Sequence, residues 1–234
     1  MGKAQAVFAG RTRARARGDA VRHPVFARYY AQAVARVEPV MAPVRSELVA
    51  GLSGRVLEIG AGTGIGFGHY PSTVSEVVAI EPERTLRRIA LDAARRADVP
   101  VDVVPGAAEA LPVKSEAYDA VVLSTVLCSV QSVDRALREV RRVLRPGGEV
   151  RFFEHVRAPG RGMRLVQGAL DHTVWPLCVG GCHLRRDALG SLRAAGFELG
   201  AHRALTMPGH GPRQPMSYCV LGTARRPADS GDRP

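Results

Sequence analysis

Short apolar runs alternate with amphipathic stretches along most of this chain, and that alternation predicts an α/β fold. Residues 55–59, 77–80, 101–104, 118–123 and 149–154 have strand length and apolar character. Residues 118–123 are almost continuously apolar, as a parallel strand covered on both faces requires. Between them, 85–96, 133–144 and 187–195 carry the three- and four-residue spacing of helices. Two further strands are expected at 197–204 and 218–224, which makes seven in all. Residues 24–50 read as a helix on the recurrence of Phe26, Tyr29, Tyr30, Ala33, Val34 and Val37. Pro39 and Pro43 are expected to break or kink it. Residues 155–185 show no clear period.

The pattern breaks most sharply after the first strand. Val56-Leu57-Glu58-Ile59 runs into Gly60-Ala61-Gly62-Thr63-Gly64, and the glycine loop is expected to open a helix. Glycine accepts the backbone angles of such a turn and lets a ligand approach the main chain. Glu81 ends the second strand, about twenty residues past the loop, where nucleotide-binding α/β folds place the carboxylate that grips a ribose diol. No window of the loop gives the G-x-G-x-x-G spacing of a dinucleotide site, and no Gly-Lys-Ser/Thr of a phosphate loop occurs. Glu58 at the mouth of the loop would repel a pyrophosphate and suits a ligand with an ammonium and a sulfonium. S-adenosylmethionine is such a ligand, and E-x-G-x-G-x-G resembles the first motif of the class I S-adenosylmethionine-dependent methyltransferases.

Downstream motifs extend the resemblance over about residues 24–224. They are Asp119 at the start of the fourth strand, and Leu137-x-Glu139-Val140-x-Arg142-Val143-Leu144-Arg145-Pro146-Gly147-Gly148 before the fifth. Leu127-Cys128-Ser129-Val130-Gln131-Ser132, Glu154-His155-Val156, Gln167, Trp175 and Gly181-Cys182-x-Leu184-x-Arg186 are similar to the methyltransferase-like thiol S-methyltransferases. More distantly the chain resembles the ubiquinone/menaquinone C-methyltransferases and the bacterial phospholipid N-methyltransferases. The resemblance implies a Rossmann-like fold, with a mostly parallel seven-stranded sheet, helices on both faces and an antiparallel last strand. It implies one domain over 23–224 whose helix at 23–50 lids the cofactor. It further implies that Glu58, Gly60, Ala61, Gly62, Gly64, Glu81, Pro82, Ser124, Thr125 and Val126 surround S-adenosylmethionine. Many relatives place an Asp on the adenine amino group. Here Ala107 stands in its place, leaving Ala107, Ala108 and Glu109 as the adenine contacts.

In an open sheet, ligands sit beyond the carboxyl ends of the strands at the switch point. That rule puts Glu154 and His155 beside the transferred methyl as catalytic candidates. Tyr29, Tyr30, Cys128, Trp175, Cys182 and His183 are the candidates for acceptor contacts. Cys178, Cys182 and His183 taken with His155 match no standard zinc spacing, so no metal is expected. Methylation of a small thiol is the leading expectation, and C-, N- or O-methylation of a quinone precursor, lipid or other metabolite is the alternative. A thiol needs no strong base, since a pKa of about 8.5 leaves a few per cent thiolate at neutral pH.

Charge and cysteine content add context. The 234 residues carry a formal charge of +11, part of it at Arg11, Arg13, Arg15 and Arg17 and part at Arg225 and Arg226. Both segments, 1–22 and 225–234, are expected to be disordered tails. Only Lys3 and Lys114 are lysines, which fits an arginine-rich surface better than a nucleic-acid site. No nucleic-acid partner is expected, and a weak association with an anionic membrane surface stays open as the alternative to a merely arginine-rich surface. No run approaches the roughly 18 apolar residues of a membrane span, and no secretory leader is recognised. Four scattered cysteines suit a reducing cytoplasm rather than a disulfide framework. Oligomeric state is not legible.

Overall fold

The computed structural model describes residues 24–173, 175–207 and 214–228. The expected basic tail at 1–22 lies outside the described residues. Seven strands form one sheet in the order β3-β2-β1-β4-β5-β7-β6. They are β1 (Gly54–Ile59), β2 (Val74–Ile80), β3 (Val101–Val104), β4 (Tyr118–Ser124), β5 (Leu144–His155), β6 (Glu198–Thr206) and β7 (Tyr218–Arg225). β7 runs antiparallel to both its neighbours, while the pairings among β1 to β5 are parallel. The Rossmann-like architecture is as the sequence led us to expect.

Side chains alternate across each strand, and this divides the core in two. Leu57, Ile59, Val78, Ile80, Val121 and Leu123 face one layer, packed with Leu137 and Val140 of α3 (Val133–Val143) and with Leu192 of α6 (Ala188–Ala194). Val56, Val77, Ala79, Ala120 and Val122 face the other, packed with Met41 and Leu48 of α1 (Pro24–Val49) and Ala90 of α2 (Arg84–Ala94). The sheet is apolar on both sides because helices cover both. β1 has β2 on one side and β4 on the other, so the strand order reverses there. That reversal opens a crevice at the carboxyl ends of β1 and β4.

Several expectations are corrected. α1 passes unbroken through Pro39 and Pro43 over 26 residues. The two prolines are four apart and exposed, so the carbonyls they leave unpaired, on Ala35 and Pro39, also belong to exposed residues within reach of water. The glycine loop opens only a 3-10 turn, Phe67–His69, because Gly64, Gly66, Gly68 and Pro71 are poor helix formers. β5 begins at Leu144, and the Pro146-Gly147-Gly148 reversal is absorbed as an irregularity in its pairing with β4. The stretch without clear period contains α4 (Arg161–Asp171) and α5 (Trp175–Cys178). The supposed tail at 225 is also structured. Arg225 closes β7, and Arg226 is buried, donating to the carbonyls of Arg141 and Leu144 and to Glu116. No helix among the described residues is long and apolar enough to cross a membrane.

Candidate active site

The glycine loop is tied to the end of β2. The N–H groups of Gly60 and Ala61 both donate to the Ile80 carbonyl, at 2.8 and 3.1 Å. Gly62 and Gly64 lie in the left-handed region, at φ 58° and 73°. A Cβ on Gly62 would sit 3.4 Å from the Tyr30 ring, and one on Gly64 only 2.5 Å from Phe67. The N–H of Gly62 donates to Glu81 at 2.7 Å, and that of Glu83 donates to the other Glu81 oxygen at 2.8 Å. One strand over, Glu58 accepts the Tyr70 hydroxyl at 2.8 Å. It faces a narrow pocket lined also by Arg45, Leu48, Tyr70 and Ser124. Burial raises the pKa of both carboxyls to about 7, against the pull of the Tyr70 bond and Arg45 on Glu58 and of the backbone donors on Glu81. Two buried acids beside an open glycine turn form a cradle that a cationic ligand with a diol would relieve of its desolvation cost.

The other half of the crevice is built by Glu154. Its side chain is fully buried and accepts three backbone donors: Val126 and Leu127 at 2.9 Å each, and Cys128 at 3.1 Å. These bonds curl the loop after β4, whose entry residue Thr125 takes φ 57°, a left-handed backbone rare for a β-branched residue. The curl brings the Cys128 sulfur to 3.5 Å from His155 Nδ1. Cys182 reaches the same nitrogen at 3.5 Å from the opposite loop. That loop is held by the bond from His183 N–H to the Cys128 carbonyl and by Arg186, which donates to the Leu127 carbonyl. Trp175 and Leu170 pack on Cys128, Cys182 and Leu184, and the Trp175 indole N–H is buried with no partner among the described residues. Tyr30 joins the two halves. It lies over Gly62, bonds Thr125, and is close enough to Glu81 and Cys128 for both to act on it, its pKa raised chiefly by burial.

Residues 57–152 match the family model described as a methyltransferase domain. A human thiol S-methyltransferase, TMT1A, is 35% identical over 153 residues, covering 63% of this chain and 62% of that protein. A ubiquinone/menaquinone biosynthesis C-methyltransferase of a Ruegeria species is 29% identical over 177 residues, covering 65% and 70%. The chain thus spans 62% of the length of the human relative. Among solved structures, the [4+2]-cyclase SpnF superposes with a TM-score of 0.64 at 24% identity, covering 81% of this chain and 80% of that one. An S-adenosylmethionine-dependent methyltransferase from Mesorhizobium loti gives 0.58 at 18%, covering 80% and 98%. These two likenesses show the fold alone. The cyclase among them is a reminder that this fold hosts more than one chemistry.

The crevice gathers Glu58, Gly60, Ala61, Gly62, Gly64, Glu81, Pro82, Ser124, Thr125 and Val126 at the carboxyl ends of β1, β2 and β4. Four expected roles change. Glu154 has its oxygens committed to the loop backbone, so it positions Cys128 rather than touching an acceptor. Tyr29 is 68% exposed, because consecutive helical residues point about 100° apart and Tyr30 takes the inward face. Glu109 accepts the N–H groups of Gln131 and Ser132 and so braces the start of α3, with Ala107 and Ala108 beside it in the same turn. His183 bonds the Gly181 carbonyl and Arg186 instead of joining Cys182. Sequence reasoning missed Tyr70 and Arg45, the partners of Glu58, since nothing in local spacing marks either. It also missed the Cys128–His155–Cys182 cluster, whose members come from three separate segments.

Proposed function

We propose that this protein transfers a methyl group from S-adenosylmethionine to a small thiol. The observation that carries the reading is the commitment of Glu154. The acceptor half of the crevice presents sulfur, imidazole and phenol groups, and the buried Glu154 carboxylate beside them is used up on backbone donors. An acceptor that ionises by itself suits such a site, whereas a carbon or amine acceptor asks more of a protein base. The likeness to a thiol S-methyltransferase supports the same acceptor. The quinone-precursor reading rests on the Ruegeria relative and on His155 serving as base.

The cradle fits S-adenosylmethionine. Glu81 is positioned for the ribose hydroxyls and Glu58 for the ammonium end, and Gly62 leaves room for close approach under Tyr30. The cofactor supplies a methyl group on a sulfonium, ready for in-line displacement. The protein's part is to hold the acceptor sulfur on that line, with Tyr30 and Thr125 on the cofactor side and His155, Cys128 and Cys182 on the acceptor side. The test is a methyl-transfer screen over small alkyl and aryl thiols, quinols and amines, read by product mass. Thiol products are expected, with a rate that climbs as pH approaches the acceptor's pKa. Methylated quinol or amine with every thiol untouched would overturn the thiol reading and leave the cofactor assignment intact.

A further inference from the structure

The geometry points to a second function for the sulfur cluster: Cys128, His155 and Cys182 form a three-ligand site for a soft divalent cation, Zn²⁺ by its chemistry, whose fourth position takes the acceptor thiolate. This rests on the thiol reading above for the fourth position only. The three protein ligands stand on observations of their own.

The first is distance. In tetrahedral zinc sites, Zn–S bonds of about 2.3 Å and Zn–N bonds of about 2.0–2.1 Å place sulfur and nitrogen about 3.6 Å apart, and two sulfurs about 3.8 Å apart. His155 Nδ1 lies 3.5 Å from Cys128 Sγ and 3.5 Å from Cys182 Sγ, and the three atoms all fall within 4.8 Å of one another. The second is valence. Imidazole Nδ1 has one in-plane lone pair and can accept one thiol proton well. Two sulfurs at equal distance from that single lone pair suit a shared metal vertex better than a pair of S–H···N bonds.

The third is the surroundings. Two thiolates neutralise a dication, and the remaining nearby charges, Glu154 and Arg186, are of opposite sign; Arg186 lies within electrostatic reach of both cysteines and of Glu154. The ligand-bearing backbone is fixed by bonds beyond the ligands, from Cys128 N–H to Glu154 and from Cys182 N–H to the Val179 carbonyl. No fourth His, Cys, Asp or Glu joins the cluster among the described residues. Two cysteines, one histidine and an open corner are a known composition for catalytic zinc. A thiol entering that corner would give its proton to solvent and bind as thiolate, with no change of oxidation state.

The test uses the full chain, reduced and stripped of metal, titrated with Co²⁺ as a spectroscopic stand-in. One equivalent is expected to bring up a thiolate-to-cobalt charge-transfer band and tetrahedral d–d bands, both erased by Zn²⁺. Cys128→Ser and Cys182→Ser are each expected to lose most of the charge-transfer band, while Cys178→Ser, at an exposed position, keeps it. Zinc-edge X-ray absorption on the unmutated protein counts the ligands without relying on any variant's folding. Two sulfurs are expected, rising to three when 2-mercaptoethanol is added. No bound metal in the reduced protein would overturn the proposal. So would a Cys128–Cys182 disulfide, seen as a mass two hydrogen atoms lighter that reductant restores. A sulfur count fixed at two would overturn the open corner. Thiol methylation undiminished after complete metal removal would leave the thiol reading standing and overturn the cation's part in it.

Discussion

At the scale of single residues, the two buried carboxyls of the cradle make the protein sensitive to pH. Glu58 and Glu81 have folded pKa values of about 7 against an ordinary glutamate value of 4.5, raised first of all by burial. Across that window the native state holds more protons than the unfolded chain, so stability is greatest toward the acid end and falls as pH rises through about 7. Each shift corresponds to about 3 kcal/mol. Thermal melts of the ligand-free protein are therefore expected to show a falling Tm from pH 5.5 to 8, flattened in Glu58→Gln; a Tm that climbs over that range would contradict the burial argument. A ligand cation placed near Glu58 favours its ionised form, so S-adenosylmethionine binding near pH 6.5 is expected to release protons. Calorimetry in buffers of different ionisation enthalpy measures that release directly, and Glu58→Gln should abolish most of it. Glu81→Ala removes a charge-assisted pair to the ribose and is expected to weaken binding about thirtyfold or more. Unchanged affinity in the variant would remove Glu81 from the site.

At the scale of elements, the loops rather than the strands carry the consequences. Gly62→Val places a β-branched residue at φ 58° and pushes it against Tyr30, so the variant is expected to lose cofactor binding while its far-ultraviolet spectrum stays near that of the parent. Gly68→Ala, with open space at its Cβ and no left-handed backbone, should bind normally. Equal behaviour of the two variants would mean that the loop is a turn and nothing more. The loop after β4 gives a second case. Glu154→Gln turns one of three accepted N–H bonds into a donor facing a donor, at a cost of about 1–3 kcal/mol. Faster amide exchange at Val126, Leu127 and Cys128 is its expected signature. The strands and the glycine loop were legible because their signals are local: apolar runs of strand length, and glycines where only glycine fits. α1 was legible in extent but not in continuity, because whether a proline breaks a helix depends on water reaching the carbonyl it leaves behind. Residues 155–185 hid two short helices, since their apolar face meets a local cluster around Cys182 and Leu184 instead of a regular stripe. Glu154 looked catalytic from its place at a strand end, and only the three-dimensional course of the next loop shows where its oxygens go.

At the scale of the whole molecule, the sheet has a chemical end and a mechanical end. The carboxyl ends of β1, β2, β4 and β5 hold the cradle and the sulfur cluster. The opposite end is closed by Arg226, which lies past the last strand and ties it to the junction of α3 and β5. Its guanidinium donates to the Leu144 carbonyl at 2.6 Å, to the Arg141 carbonyl at 3.0 Å and to Glu116 at 2.7 Å, and the backbone of Arg226 pairs with Gly147 and Gly148. A buried arginine with several carbonyl partners is worth more than an ion pair in water. The pair between Glu47 of α1 and Arg203 of β6 joins residues far apart in sequence, yet both side chains are half exposed, so it is the natural control. Arg226→Ala is expected to cost about 2–3 kcal/mol in urea unfolding, and Glu47→Gln less than about 1 kcal/mol. Because the clamp sits at the end of β5 away from His155, neither change should move the affinity for S-adenosylmethionine by more than about twofold under conditions where the variant is folded. A truncation after Arg225 makes the same comparison: it is harmless if residue 226 begins a tail and costly if it locks the sheet. Stability lost without affinity lost would establish the lock, whereas unchanged stability in both Arg226→Ala and the truncation would return residue 226 to the tail.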